Sequence, residues 1–211
     1  MKHKLTLYIF PLIVLAFFTC NSSSHLNQDK GKNDNKSKLT ENANPYFPVA
    51  ENNKWEYINQ APREETELFS VEVQNVKGNN GSKYFDLNSF PFFSKENKKM
   101  TLEINDDGEI ITDPYQDVKM VFIPKVENLK NGYSWSYGEW NGSVSFLNDT
   151  ITTENGVYTN CVFLNFSISI TFGAEIWLAK DVGIVKWGYF RTNPPTFNPT
   201  YYVLKNLTLS N

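Results

Sequence analysis

The side chains able to do acid–base, nucleophilic or metal chemistry are few in this 211-residue chain and poorly placed for it. The two histidines are His3 and His25, both upstream of any segment that can build a core. A folded domain without histidine has no serine–histidine or cysteine–histidine catalysis and none of the usual zinc sites. Carboxylates, lysine and tyrosine remain. Glu64-Glu65 and Glu67 follow Pro62-Arg63 and have the chemistry of an acid–base set, but nothing pairs them with a partner. They read as a solvated loop. Glu103-Ile-Asn-Asp-Asp-Gly108 alternates oxygen ligands before a glycine, as a calcium loop begins, yet Pro114 stands where the closing Glu belongs. A hairpin turn is the better reading. Cys161 lies in an apolar, strand-like run and is read as a small buried hydrophobe in preference to a nucleophile or an intermolecular bridge. The expectation is a non-enzymatic domain with no metal and no cofactor.

Aromatic loops are the other candidates. Phe90-Pro-Phe-Phe93 lies between a strand and the polar stretch 95–99, and Tyr189-Phe190 with Phe197 surrounds Pro194-Pro195. Phe90, Phe92, Phe93, Tyr189, Phe190 and Phe197 either line a barrel mouth that admits a lipid or other hydrophobic ligand, or plug the end of the core.

The elements that must position these residues are β throughout. The run from Leu68 to Val76 alternates apolar and polar for most of its length, and so does Met100-Thr-Leu-Glu-Ile-Asn. The latter meets Gly108-Glu-Ile-Ile-Thr across Asp106-Asp107-Gly108, a hairpin signal. Further strands are expected at 54–59, 82–87, 118–123, 134–140, 143–152, 157–171, 174–179, 183–190 and 201–209, separated by turn formers such as Asn141-Gly142 and Asn155-Gly156. No window of 11 or more residues shows helical periodicity. Ten or more short strands at this spacing predict an all-β antiparallel meander, closed as a barrel or strongly curved as a half-barrel. An immunoglobulin-like sandwich fits less well, for its paired cysteines are absent. Trp177 and Trp187 lie ten apart and share a face if the hairpin register allows. They and Trp55 and Trp135 are read as core.

Composition divides the chain into three segments. Residues 1–20 carry Lys2 and Lys4, then an apolar run over 5–18, then Cys20. That is too short to span a membrane comfortably and reads as a secretory signal. Residues 21–44 hold almost no apolar side chain and are expected to be a flexible tether. Residues 45–211 form one β domain, holding all five tryptophans. Of 20 Lys+Arg and 23 Asp+Glu, the signal removes Lys2 and Lys4, so the remainder carries −5. A mildly acidic, scattered charge offers no footprint for nucleic acid.

Cys20 at the cleavage point, with Asn21-Ser22-Ser23-Ser24 after it, makes the start resemble a bacterial lipoprotein signal. The resemblance implies that Cys20 is lipidated and anchors the protein to a membrane of the cell envelope. The domain itself resembles an uncharacterised bacterial lipoprotein family in four places. These are the opening Tyr46-Phe-Pro-Val-Ala-Glu-Asn-Asn-Lys-Trp-Glu-Tyr57, the Trp element Leu129-Lys-Asn-Gly-Tyr-Ser-Trp135, the strand Gly156-Val-Tyr-Thr-Asn-Cys-Val-Phe163, and the hairpin Glu175-Ile-Trp-Leu-Ala-Lys-Asp-Val-Gly-Ile-Val-Lys186. Asn52 or Asn53 stands where that family usually has glycine. The resemblance implies a β-rich, lipid-anchored domain and brings no catalytic residues. The function expected is an envelope binding or interaction module, with the membrane, a hydrophobic ligand or an envelope protein as partner. The alternative is a carrier or chaperone for a lipid or other hydrophobic ligand in the barrel interior.

Overall fold

The computed structural model describes residues 44–60, 66–79, 82–93, 98–113, 119–146, 149–169, 172–191 and 200–210. Cys20, nearly all of the expected tether, Glu64, Glu65 and Phe197 lie outside the described residues. The strands are β1 (Lys54–Asn59), β2 (Leu68–Asn79), β3 (Ser82–Leu87), β4 (Met100–Ile104), β5 (Ile110–Thr112), β6 (Met120–Ile123), β7 (Ser134–Tyr137), β8 (Trp140–Phe146), β9 (Ile151–Thr152), β10 (Val157–Tyr158), β11 (Val162–Ser169), β12 (Phe172–Ala179), β13 (Gly183–Arg191) and β14 (Thr200–Thr208). Short 3-10 turns occupy Pro91–Phe93 and Val126–Asn128.

Twelve strands form one antiparallel sheet, ordered β6-β5-β4-β3-β2-β1-β14-β13-β12-β11-β8-β7 and nearly closed into a barrel. β9 and β10 make a separate hairpin. Each strand pairs with a chain neighbour except at two places. β8 and β11 pair across the small hairpin, and β1 pairs with β14, so the first and last strands lie side by side. The sheet's two free edges, β6 and β7, are consecutive in the chain.

The seam between those edges is closed by a side chain. Trp135 Nε1 on β7 donates to the Val121 carbonyl on β6 at 3.0 Å. Its indole lies over Gly142 of β8, where a Cβ would come within 2.3 Å of the ring, and meets Phe166 of β11 edge-on. Glycine at 142 is therefore a packing requirement rather than a turn signal. The turn falls instead at Gly138-Glu139, with Gly138 at φ +58, so the strand expected over 134–140 divides into β7 and the start of β8. Trp135 and Tyr137 repeat the Trp-x-Tyr pattern of Trp55 and Tyr57, which are fully buried, but Tyr137 is 45% exposed near the edge.

Asn52 adopts φ +69, the left-handed conformation that asparagine enters more readily than most residues. Gly183, at φ +99, makes the β12–β13 turn, and Trp55 Nε1 donates to the Val182 carbonyl there at 2.7 Å. Beyond the turn the register shifts by one between Trp177 and Leu178, leaving Val185 as the extra residue. A one-residue shift reverses the face of every side chain after it. Trp187 therefore points inward opposite Ile176, while Trp177 pairs with Lys186 on the outer face. The two tryptophans do not share a side.

Trp135→Phe keeps an aromatic ring and deletes the seam hydrogen bond. It should cost about 1 kcal/mol, lower Tm by roughly 2–4 °C, and speed amide exchange in β6 and β7 first. Gly142→Ala forces the indole aside and should cost about 1–3 kcal/mol. Thermal melts and exchange mass spectrometry read both. Unchanged exchange at β6 and β7 in Trp135→Phe would show that the indole does not hold the two edges together.

Candidate functional site

The aromatic loop after β3 turns into the barrel. Leu87 ends the strand, and Ser89, Phe90, Pro91, Phe92 and Phe93 are all buried. Proline at 91 fits here because it starts a 3-10 turn and gives up a backbone donor no strand needs. Phe92 packs among Tyr57 of β1, Phe122 of β6 and Trp187 of β13, at ring-centroid distances of 6.1, 5.8 and 5.6 Å. Phe93 reaches Trp140 and Phe166 at 5.1 and 5.2 Å, and Phe90 reaches Phe122 at 5.0 Å. One connection thus touches opposite walls. From the other end, Phe47 stacks on Trp55 at 5.2 Å and lies edge-on to Phe122. Asn44 clamps that entry by donating to the Gly108 and Pro124 carbonyls, each at 3.1 Å.

Of the six aromatic candidates, Phe90, Phe92 and Phe93 share the interior. Tyr189, half-buried, joins through its 6.5 Å stack on Trp187. Phe190 is next in the strand and so faces outward, its ring over Gly173. The polar atoms of this interior are few. Tyr57 Oη donates to the Ile184 carbonyl at 3.0 Å, and burial pushes its phenol well above the ordinary range. Tyr202, stacked on Trp187 at 4.2 Å, donates to Glu67 at 2.6 Å, so that carboxylate is committed to a phenol. Trp187 Nε1 and Ser89 Oγ are buried with no partner among the described residues.

The remaining candidates resolve locally. Asn105 Oδ1 accepts from the Asp107 and Glu109 amides at 3.1 and 2.9 Å, and Gly108 takes φ +77. The Asp106-Asp107-Gly108 segment is thus the β4–β5 turn. Among the described residues no three His, Cys, Asp or Glu side chains converge as metal ligands. Cys161 is buried, its Sγ 3.5 Å from the Tyr158 carbonyl, and burial raises the thiol above its usual pKa.

Two outer-face features have no clear mark in the sequence pattern. Lys186 Nζ sits 4.4 Å from the Trp177 ring and 4.3 Å from the Tyr201 ring, and Phe163 lies 4.7 Å from Trp177. Burial lowers the ammonium's pKa despite nearby Glu175 and Asp149, and Tyr201 Oη donates to Glu175 at 2.6 Å. The second feature is a crevice of about 350 Å³ on β2, β3 and β4, lined by Gln74, Asn75, Asp86, Leu87, Lys99, Met100 and Thr101. Both depend on cross-strand register, which shows in sequence only once bulges are known. The doublet Gln74-Asn75, which breaks the alternation along β2, was the available signal for the second.

Phe92→Ala should cost about 3–5 kcal/mol, whereas Tyr137→Ala, exposed, should stay within about 0.5 kcal/mol; urea melts compare them. In a Cys20→Ala background, Cys161 should resist iodoacetamide at pH 8 in the native state and react fully in urea. The raised pKa leaves less thiolate, and burial blocks access. Fast native labelling contradicts this placement.

No protein-family model and no curated protein matches the chain. Two solved structures are similar to it. One, from Parabacteroides distasonis and provisionally assigned as a lipoprotein, aligns with a TM-score of 0.50 and 13% identity, covering 79% of this chain and 99% of its own. The other, from Bacteroides fragilis, is provisionally assigned as an exported protein and has a YmcC-like fold. It aligns with a TM-score of 0.49 and 13% identity, covering 77% and 98%. At 13% identity the first likeness is one of fold alone.

Proposed function

We propose that the chain is a lipid-anchored protein of the bacterial cell envelope whose β domain is a non-enzymatic binding or interaction module. The observation that carries this reading is the filled interior. Tyr57, Phe92, Phe122, Phe166 and Trp187 present no surface that water can touch from inside or outside. Recognition then falls to the outer faces and the connections between strands. The membrane is the partner reached through lipid on Cys20, and an envelope protein or hydrophobic ligand is the partner of the domain. Support for the anchor comes from the residues around Cys20 and from the provisional lipoprotein assignment of the Parabacteroides distasonis protein. Scattered charge speaks against nucleic acid.

A second reading, a carrier for a lipid or other hydrophobic ligand in the barrel interior, draws on Ser89 Oγ and Trp187 Nε1. Buried polar atoms without partners are expensive, and an acceptor on a ligand would satisfy either one. It requires Phe90–Phe93 to move.

Metabolic labelling with a fatty acid tests the anchor. Wild type should carry label and sediment with membranes, and Cys20→Ala should lose both. A Cys20→Ala protein that keeps label and membrane attachment overturns it. Native mass spectrometry of the purified protein decides between the readings. A bare mass fits the module, and an apolar adduct released on denaturation fits the carrier.

A further inference from the structure

The crevice on β2, β3 and β4 is built by a bulge. Val73 pairs with Leu87 and Asn75 with Asp86, leaving Gln74 without a partner in the ladder. Without that extra residue Asn75 would join Val71 and Val73 in the core. With it, Gln74 and Asn75 both stand exposed on the outer face. Asp86 pairs across to Thr101 of β4, so Asn75, Asp86 and Thr101 form one polar row over three strands. Asp86 Oδ1 accepts from Thr101 Oγ1 at 2.6 Å, and Oδ2 accepts from Asn75 Nδ2 at 3.2 Å. Lys77 Nζ stands 3.9 Å from Oδ2, and Lys99 lies on the rim. These donors hold the Asp86 carboxyl below the usual carboxylate range, the Thr101 hydroxyl most of all. Leu87 and Met100 border the crevice, but they pair with each other on the inner face and Leu87 is fully buried, so the exposed wall is polar.

The chemistry of this row selects among ligand classes. An apolar molecule would strip water from the carboxylate's remaining lone pairs and from the amides without replacing it. A divalent cation would find one carboxylate, already accepting from two donors, with the Lys77 ammonium nearby. An anion would meet Asp86. A hydroxyl group both donates and accepts, and two adjacent hydroxyls match a fixed carboxylate flanked by amide and ammonium donors. Each Asp86 oxygen keeps a lone pair beyond the bonds it already makes. The volume of about 350 Å³ falls within the range of small-molecule sites.

We infer that this crevice binds a sugar ring through vicinal hydroxyls, with Asp86 as the central acceptor and Gln74, Asn75 and Thr101 around it. This deepens the binding-module reading and rests on it only for the idea that the outer faces do the recognising. Saturation-transfer NMR on the purified full-length protein tests it, using the methyl glycosides of glucose, galactose, mannose and N-acetylglucosamine. At least one should show transfer to its ring protons. Asp86→Ala should weaken that binding about tenfold or more, the worth of a hydrogen bond to a charged group. Gln74→Ala, an exposed change that leaves the fold intact, should weaken it severalfold. If Asp86→Ala melts early, Asp86→Asn keeps the row's shape and should still bind more weakly than wild type. No transfer from any of the four glycosides, or equal affinity in wild type and both Asp86 variants, overturns the inference. Cys20→Ala should bind sugar as wild type does, so failure of the anchor and failure of this site are separate results.

Discussion

Twelve strands make a barrel too wide for wall side chains to fill by themselves. About eight strands leave an interior that side chains just fill, and sixteen or more leave an aqueous channel. This protein lies between, and the packing of Phe92 between Trp187 and Phe122 resolves the difference. Phe90–Phe93 enters as a connection between β3 and β4, and Phe47 enters ahead of β1. Rings suit this task because they fill volume with few rotatable bonds and pack edge-to-face against neighbours on several walls at once. Without the inserted rings the inner faces of β1, β6, β11 and β13 would border a void, which a close-packed interior does not tolerate. The turn chemistry, the glycines beneath Trp135 and Trp55, and the clamp at Asn44 all serve that packing.

The same constraint explains the seam. A ladder between β6 and β7 would bring their backbones to the usual strand spacing. Instead Trp135 stands between them and takes over one hydrogen bond that the ladder would have made. The indole thus serves the interior and the edge together. An edge covered by a large ring is also a poorer template for pairing with another chain.

Much of this was legible in the residues. Period-two alternation placed the strands, Asp106-Asp107-Gly108 placed a hairpin, and density of turns indicated a meander. Trp55 was legible as core, and nothing interrupts the alternation of β1. What the sequence hid was register. Val185 and Gln74 each add one residue to a strand, and each reverses the face of every later residue in it. Hence Trp177 and Trp187 part company, and Asn75 joins Asp86 outside instead of entering the core. Gly142 misled for a related reason: glycine beneath an indole and glycine in a turn look alike until the partner ring is known. Phe90-Pro-Phe-Phe93 stood out as apolar, but only the three-dimensional arrangement shows that one connection reaches both walls.

The pairing of β1 with β14 has a consequence for how the molecule assembles. Lys54 lies opposite Thr208, and the indole of Trp55 and phenol of Tyr57 bond to carbonyls 127 residues away. Neighbouring hairpins close short loops and form early, whereas this contact must close nearly the whole domain against its chain entropy. Until β14 pairs with it, β1 and its two large aromatics have only β2 beside them. Closure of the native barrel therefore waits on β14, and a chain lacking that strand would be left with an unpaired β1 edge and Trp187 without the Tyr202 ring stacked on it at 4.2 Å.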